Sequence, residues 1–259
     1  MKDFTTALAA LEQLGLRVDM IMPADDPHIA ELSSGDVRVR LETTAPERAR
    51  GSAWHLGRAG MQYRDLIPDR LGGRFIASHI RVPDGGPVPD YVHYHAIRFQ
   101  MIYCYKGWVR LLYEDQGDAF VMAAGECVLQ PPGIRHRVLE CSPGLEVIEL
   151  ATPAVHATFA DHVMTLPTAR RGRIYEGQQF AWLRRGFADD AMTKATGGLA
   201  NLRVRRDVGP ITQRELFFGF VLAGSMTRDG QPLAATDAFV GGEQLVDGSP
   251  DLEWLEVTL

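Results

Sequence analysis

His93-Tyr94-His95-Ala96-Ile97-Arg98-Phe99-Gln100 is followed after six residues by Gly107, and then by Gly125, Pro131-Pro132-Gly133 and His136. Side chains of an extended chain alternate between faces, so His93 and His95 leave one face of a predicted strand together. Gln100 opens the next strand, five residues after His95. The Pro131-Pro132-Gly133 turn redirects the chain and carries His136 towards the first two histidines. Three imidazoles and one side-chain oxygen converging inside a barrel make a ligand set for a divalent transition metal. The same residues also suit a metal-free barrel with structural histidines.

Alternation assigns the neighbours. If Gln100 points inward, Arg98, Ile102 and Cys104 point with it, while Phe99, Met101 and Tyr103 face out. Arg98 beside the metal is the candidate catalytic residue, its guanidinium gripping a substrate carboxylate through paired N–H donors. An ion pair with an acid at the barrel rim is the other role open to it. Cys104 reads as a small core residue, because nothing near it in sequence depresses its pKa. Val138 and Glu140 share the face of His136, so Glu140 either orients an imidazole or ends a strand in solvent. Tyr91, Tyr103, Tyr105, Trp108 and Tyr113 cluster around the motif as core, interface or pocket-mouth aromatics. His28, His55, His79, His156 and His162 have no ligand-like spacing and read as structural or surface residues.

Outward from the motif, the chain from Arg74 onward is a succession of short strands separated by Gly and Pro turns, the spacing of an all-β sandwich or barrel. Before it, Thr5–Leu14 reads as a helix stopped by Gly15, and Arg17–Met22, His28–Leu32 and Val37–Glu42 as strands. Thr44–Gly60 reads as loop. A repeat organises the rest. Met101–Gly107 is echoed by Phe218–Gly224, Ala124–Val128 by Ala235–Phe239, and Ser142–Leu150 by Ser249–Val257, at offsets of 117, 111 and 107. Two tandem barrels account for it. The expected division is an N-terminal extension over residues 1–70, a metal-binding barrel over 71–151, a linker over 152–175 and a second barrel over 176–259. The N-terminal strands are expected to add to the first barrel and shield its edges.

The two motifs together resemble those of the cupin superfamily: His-x-His, then a Glu, then Gly after six residues, and later Gly, Pro-x-Gly and His. The resemblance spans residues 73–151 and implies double-stranded β-helix, jelly-roll barrels. It departs in two places. Six residues separate Gly86 from His93 where the family pattern has five, and the family's Glu is Gln100 here. A neutral amide leaves a bound divalent ion with more charge than a carboxylate would, making a stronger Lewis acid and a less readily oxidised Fe(II). In the second copy the ligand positions become Pro210, Thr212, Phe217 and Glu243, which cannot rebuild the site. The resemblance therefore implies a bicupin with one metal centre of His93, His95, His136 and Gln100.

By analogy with bicupin dioxygenases, the expected activity is that of a dioxygenase using Fe(II) and O2 on a small chelating organic acid, phenol or diketone. The alternatives are a Mn, Zn or Ni centre for non-redox isomerase, lyase or hydrolase chemistry, and a barrel that binds a metabolite without turning it over. Cupin barrels often pair, so the resemblance points to a homodimer or to pairing of the two barrels within one chain.

Composition narrows the classes. The 259 residues carry 27 Lys and Arg against 33 Asp and Glu, a net charge of -6, which argues against a phosphate-backbone partner. The basic runs Ala169–Arg173 and Arg203–Arg206 read as a solvated linker and the outer face of a strand. Three cysteines make no disulfide framework. No apolar run has the length of a membrane span, and Met1–Leu14 lacks the pattern of a secretory signal. A cytoplasmic protein is the expectation.

Overall fold

A computed structural model of the chain describes residues 4–44, 53–67, 69–211, 214–242 and 244–259. The N-terminal segment forms close to where its pattern places it. The helix spans Phe4–Gln13, and Arg17–Met22, Ile29–Ser34 and Val37–Glu42 form an antiparallel ribbon. The expected loop over Thr44–Gly60 holds in part. Residues 45–52 lie outside the described residues, and after them His55–Leu56 pairs with Gln62–Tyr63 across a turn rich in glycine. A strand of two residues is too short for alternation to reveal.

Two sheets make the first half. One runs Phe120–Ala123, Trp108–Tyr113, His136–Cys141, His93–His95, Thr158–Ala160, Arg17–Met22, Ile29–Ser34 and Val37–Glu42 in spatial order, with Gly86–Pro87 beside His136–Cys141. The N-terminal strands thus extend the sheet that carries the histidines. The other runs Ala181–Leu183, Cys127–Leu129, Phe99–Lys106, Leu145–Thr152, Ile76–Val82, Gln62–Asp65 and His55–Leu56. Their inner faces share a core. Cys104, Val109, Leu111, Tyr113, Met122 and Val147 are buried in it, with Ile102 and Val138 packed against them. The fold is all-β, as expected.

Residues 201–258 form a second pair of sheets. Asn201–Arg205, Glu253–Thr258, Phe217–Ala223 and Ala238–Val240 make one, and Gln231–Ala234, Ser225–Arg228 and Leu245–Val246 the other. Phe217, Met226, Phe239 and Trp254 are buried in the core they share. Phe217 therefore fills a core where a ligand would be needed, and Pro210 bridges to Gln244. Thr212 and Glu243 lie outside the described residues.

The repeat extends to hydrogen bonds at the offsets read from the sequence. Cys104 N donates to the Glu126 carbonyl and Val221 N to that of Asp237, each at 2.9 Å. The Glu126 carboxylate accepts from Ala123 N at 3.1 Å, and the Asp237 carboxylate from Ala234 N at 2.8 Å. Ser142 Oγ caps Trp108 N at 3.0 Å, as Ser249 Oγ caps Ser225 N at 2.9 Å. Gly107 and Gly224 precede the capped residues with φ of +76° and +70°, and a Cβ on either would lie within 2.4 Å of its serine oxygen. Only glycine fits either turn.

The outward faces of the two halves meet. Phe99, Met101, Tyr103, Ile148 and Leu150 pack with Phe218, Phe220, Leu255 and Val257 in one buried cluster. Tyr105 Oη donates to the Leu222 carbonyl across this seam at 3.2 Å.

His79 is buried at the seam, its ring 5.0 Å from Trp54, 5.9 Å from Tyr105 and 5.7 Å from Phe220. Nδ1 accepts from the Arg64 guanidinium at 2.9 Å and Nε2–H donates to Glu146 at 2.7 Å. That arrangement suits neutral imidazole, since a proton on Nδ1 would face another donor. Burial lowers the pKa to about 4 from 6.5, against the pull of Glu146, while Arg64 and Lys106 add to the lowering. The unfolded chain takes up this proton near its ordinary pKa and the folded chain does not. The stability so contributed is full above about pH 6.5 and is lost as pH falls towards 4. The urea midpoint is expected to be lower at about pH 5 than at about pH 7, and His79→Gln to lose less between them. An equal loss in the variant would place the pH dependence elsewhere.

Candidate metal centre

Two local features bring the imidazoles together. On the strand His93–His95 both histidines are buried and Tyr94 between them is not. Gly133, at φ +70°, turns the chain so that His136 opens its strand directly opposite His93. The ring of His93 lies 4.1 Å from that of His136 and 5.1 Å from that of His95, and the last two are 5.2 Å apart. One ring nitrogen from each of the three falls within 4.8 Å of the others.

The other nitrogen of each ring is held. His93 Nδ1–H donates to the Tyr91 carbonyl at 2.8 Å and His136 Nδ1–H to that of Ile134 at 3.1 Å, while His95 Nδ1 is bonded to Thr158 Oγ1 at 2.9 Å. For His93 and His136 this places the proton on Nδ1 and the lone pair on Nε2, the tautomer a metal ligand needs. Burial holds the pKa of His93 and His95 well below 6.5, with Arg58 adding to it at His93 and the other rings at His95. At His136 burial lowers it to about 4, against the carbonyl of Ile134 and the charge of Asp90. All three are neutral at pH 7.

Gln100 is buried and belongs to a chain of hydrogen bonds with one consistent direction. Tyr113 Oη donates to Gln130 Oε1 at 2.6 Å, and Gln130 Nε2 donates to Gln100 Oε1 at 3.1 Å and to His136 Nε2 at 3.2 Å. Gln100 Nε2 in turn donates to Glu149. Glu149 lies on the neighbouring strand, and burial pushes its pKa up to about 6, partly offset by the Gln100 bond. A carboxylate thus stands one residue behind the amide that replaces the expected Glu.

Arg58 is the other residue against the triad. Its guanidinium donates to His93 Nε2 at 3.0 Å and to Asp90 at 2.5 Å. Burial opposes its charge, and Asp90, with Tyr63 and Tyr91, more than restores it. Asp90 also accepts from Val138 N at 2.9 Å, tying the arginine to the His136 strand.

Arg98 is elsewhere. Its side chain is 50% exposed and pairs with Glu215 of the second half at 3.1 Å. The expected place beside the metal is corrected: the strand begins at Phe99, so alternation does not reach back to Arg98. Glu140 likewise pairs with Arg110 on the exposed side of its strand, at 3.1 Å, and Cys104 is a buried thiol whose pKa burial pushes up to about 12. Of the other histidines, His156 is buried 5.6 Å from His95, with Nδ1 bonded to the Pro153 carbonyl. Arg58, Asp90, Thr158 and Glu149 carried no signal in the sequence. Gln130 carried a weak one, standing just before the second motif's Pro131.

No family model and no curated protein matches the sequence. Among solved structures the chain is similar to oxalate decarboxylase from Bacillus subtilis at 12% identity and a TM-score of 0.51, over 80% of this chain and 74% of that one. It is similar also to the protein Ylba from E. coli at 13% identity and a TM-score of 0.50, over 80% of this chain and 86% of that one. The fold is that of the cupins. Identity this low speaks for the fold alone, so the chemistry rests on this chain's own residues. Among the described residues, no helix is long and apolar enough to cross a membrane.

Proposed function

We propose that this cupin is a metal-dependent enzyme of the dioxygenase type acting on an organic acid, built as two tandem barrels of which the first holds the metal. The observation that carries the reading is the three buried, neutral imidazoles whose ring nitrogens converge while each Nδ1 is tied back. His93, His95 and His136 would hold one divalent ion, with Gln100 as fourth or outer ligand. Bound there, Fe(II) supplies positive charge for an acid or enolate and redox capacity for dioxygen. The hydrogen-bond repeat supports the tandem arrangement.

The protein's own groups prepare the site. The Tyr91 and Ile134 carbonyls and Thr158 fix the ring orientations. Arg58 and Gln130 donate to Nε2 of His93 and His136 in the metal-free site, so a bound ion would take those two lone pairs in place of the N–H donors. Glu149 returns, through Gln100, the negative charge that the amide itself lacks. Removing that charge by Glu149→Gln is expected to weaken metal binding about tenfold to a hundredfold. The same change relieves a buried carboxylate whose pKa rises from 4.5 to about 6, so the metal-free variant is expected to gain about 2 kcal/mol at pH 7. Metal titration and urea unfolding check the two effects, and unchanged affinity would remove Glu149 from the site's chemistry.

A second reading is non-redox Lewis-acid catalysis, isomerase or lyase, favoured by the neutrality of the imidazole and amide donors. Metal content of the untagged protein, with oxygen uptake on a panel of organic acids, separates them. Iron near one equivalent with oxygen consumed supports the first. Manganese, zinc or nickel with anaerobic turnover supports the second. No metal taken up on reconstitution would leave a binding barrel and overturn both.

A further inference from the structure

The helix Phe4–Gln13 and the segment around Leu56–Gly60 border a groove of about 740 Å3. Phe4, Leu8, Val18, Ile21 and Leu56 give it apolar walls. The first four belong to one apolar cluster, whereas Leu56 is a large apolar side chain that is 66% exposed. Arg58 and Tyr91 also line the groove. These are the residues whose guanidinium and carbonyl touch the two nitrogens of His93, at 3.0 and 2.8 Å. The groove and the imidazole triad therefore share a wall. Among the described residues of the lining, Glu12, Asp26 and His28 are the other titratable groups, and Arg58 carries permanent positive charge.

We propose that this groove binds a carboxylic acid with an extended apolar body, its carboxylate on Arg58 and its chain along the N-terminal helix. A guanidinium has five N–H donors in a planar fork that matches a carboxylate, and the bonds to Asp90 and His93 engage two. The volume lies in the range of pockets for ligands of many heavy atoms, and a two-carbon acid would leave most of it unfilled. An apolar chain would cover Leu56 and remove it from water. The N-terminal segment, which no cupin motif covers, thereby selects the substrate. This inference rests on the proposed metal chemistry for the fate of the acid, though not for its binding.

The test is calorimetric titration of the full chain, stripped of metal by chelator, with decanoate and with acetate. Each buried methylene tightens binding about fourfold, so decanoate is expected to bind more than about a hundredfold tighter than acetate. Leu56→Asp is at an exposed position and keeps the fold, and it is expected to weaken decanoate about tenfold or more while leaving metal content unchanged. Arg58→Gln is expected to abolish the preference for decanoate over 1-decanol. Equal binding of decanoate and acetate, or decanoate affinity unmoved by Leu56→Asp, would overturn the proposal. A chain that takes up metal and ignores decanoate loses only the groove. One that binds decanoate and never takes up metal loses only the enzyme reading.

Discussion

His136→Ala is expected to retain less than about a tenth of the wild-type metal after anaerobic reconstitution, measured as metal per chain by plasma mass spectrometry. The imidazole is one of three converging donors, and water in its place lacks both its basicity and its fixed position. His93→Ala and His95→Ala should do the same. Folding should survive, because the core between the first two sheets is built from Cys104, Val109, Leu111, Met122 and Val147 independently of the ring. The truncation leaves Gln130 Nε2 and the Ile134 carbonyl each short of a partner, at a cost of about 1–3 kcal/mol for each. His156→Ala is the control. It too removes a buried imidazole close to His95, but one outside the converging group, so it should keep its metal. Equal metal in His136→Ala and wild type would show that the triad is not the binding site.

What the sequence revealed of this centre, and what it hid, follows from the range of each signal. His93 and His95 are two apart on a strand, and His136 follows a turn whose proline and glycine allow few conformations, so local geometry alone assembles them. Arg58 meets His93 across 35 residues from a turn that belongs to the opposite sheet, and Glu149 meets Gln100 across 49 through the pairing of their strands, and no spacing encodes either. The exchange of Glu for Gln at position 100 was visible, while the carboxylate behind it was not. Arg98 shows the opposite error, a local rule carried one residue past the end of its strand, where Glu215 holds the guanidinium instead.

Phe218→Ala is expected to destabilise the protein by about 3–5 kcal/mol without altering its metal content, read as a lower urea midpoint at unchanged metal per chain. The ring is fully buried in the cluster that joins the two pairs of sheets, among Phe99, Met101, Tyr103, Phe220 and Val257. Its truncation therefore opens a cavity that both halves line. The seam is built from equivalent faces: Phe99, Met101 and Tyr103 correspond to Leu216, Phe218 and Phe220 at the repeat offset of 117. Alternation showed that these side chains point away from the barrel interior, and it could not show what covers them, because the covering strands, Phe217–Ala223 and Glu253–Thr258, lie more than a hundred residues away in sequence. If the seam couples the halves, wild type unfolds in one transition, and Phe218→Ala separates it into two with the second half melting first. A loss below about 1 kcal/mol with a single transition would mean that contacts such as Arg98–Glu215 and Tyr105–Leu222, and not this core, hold the halves together.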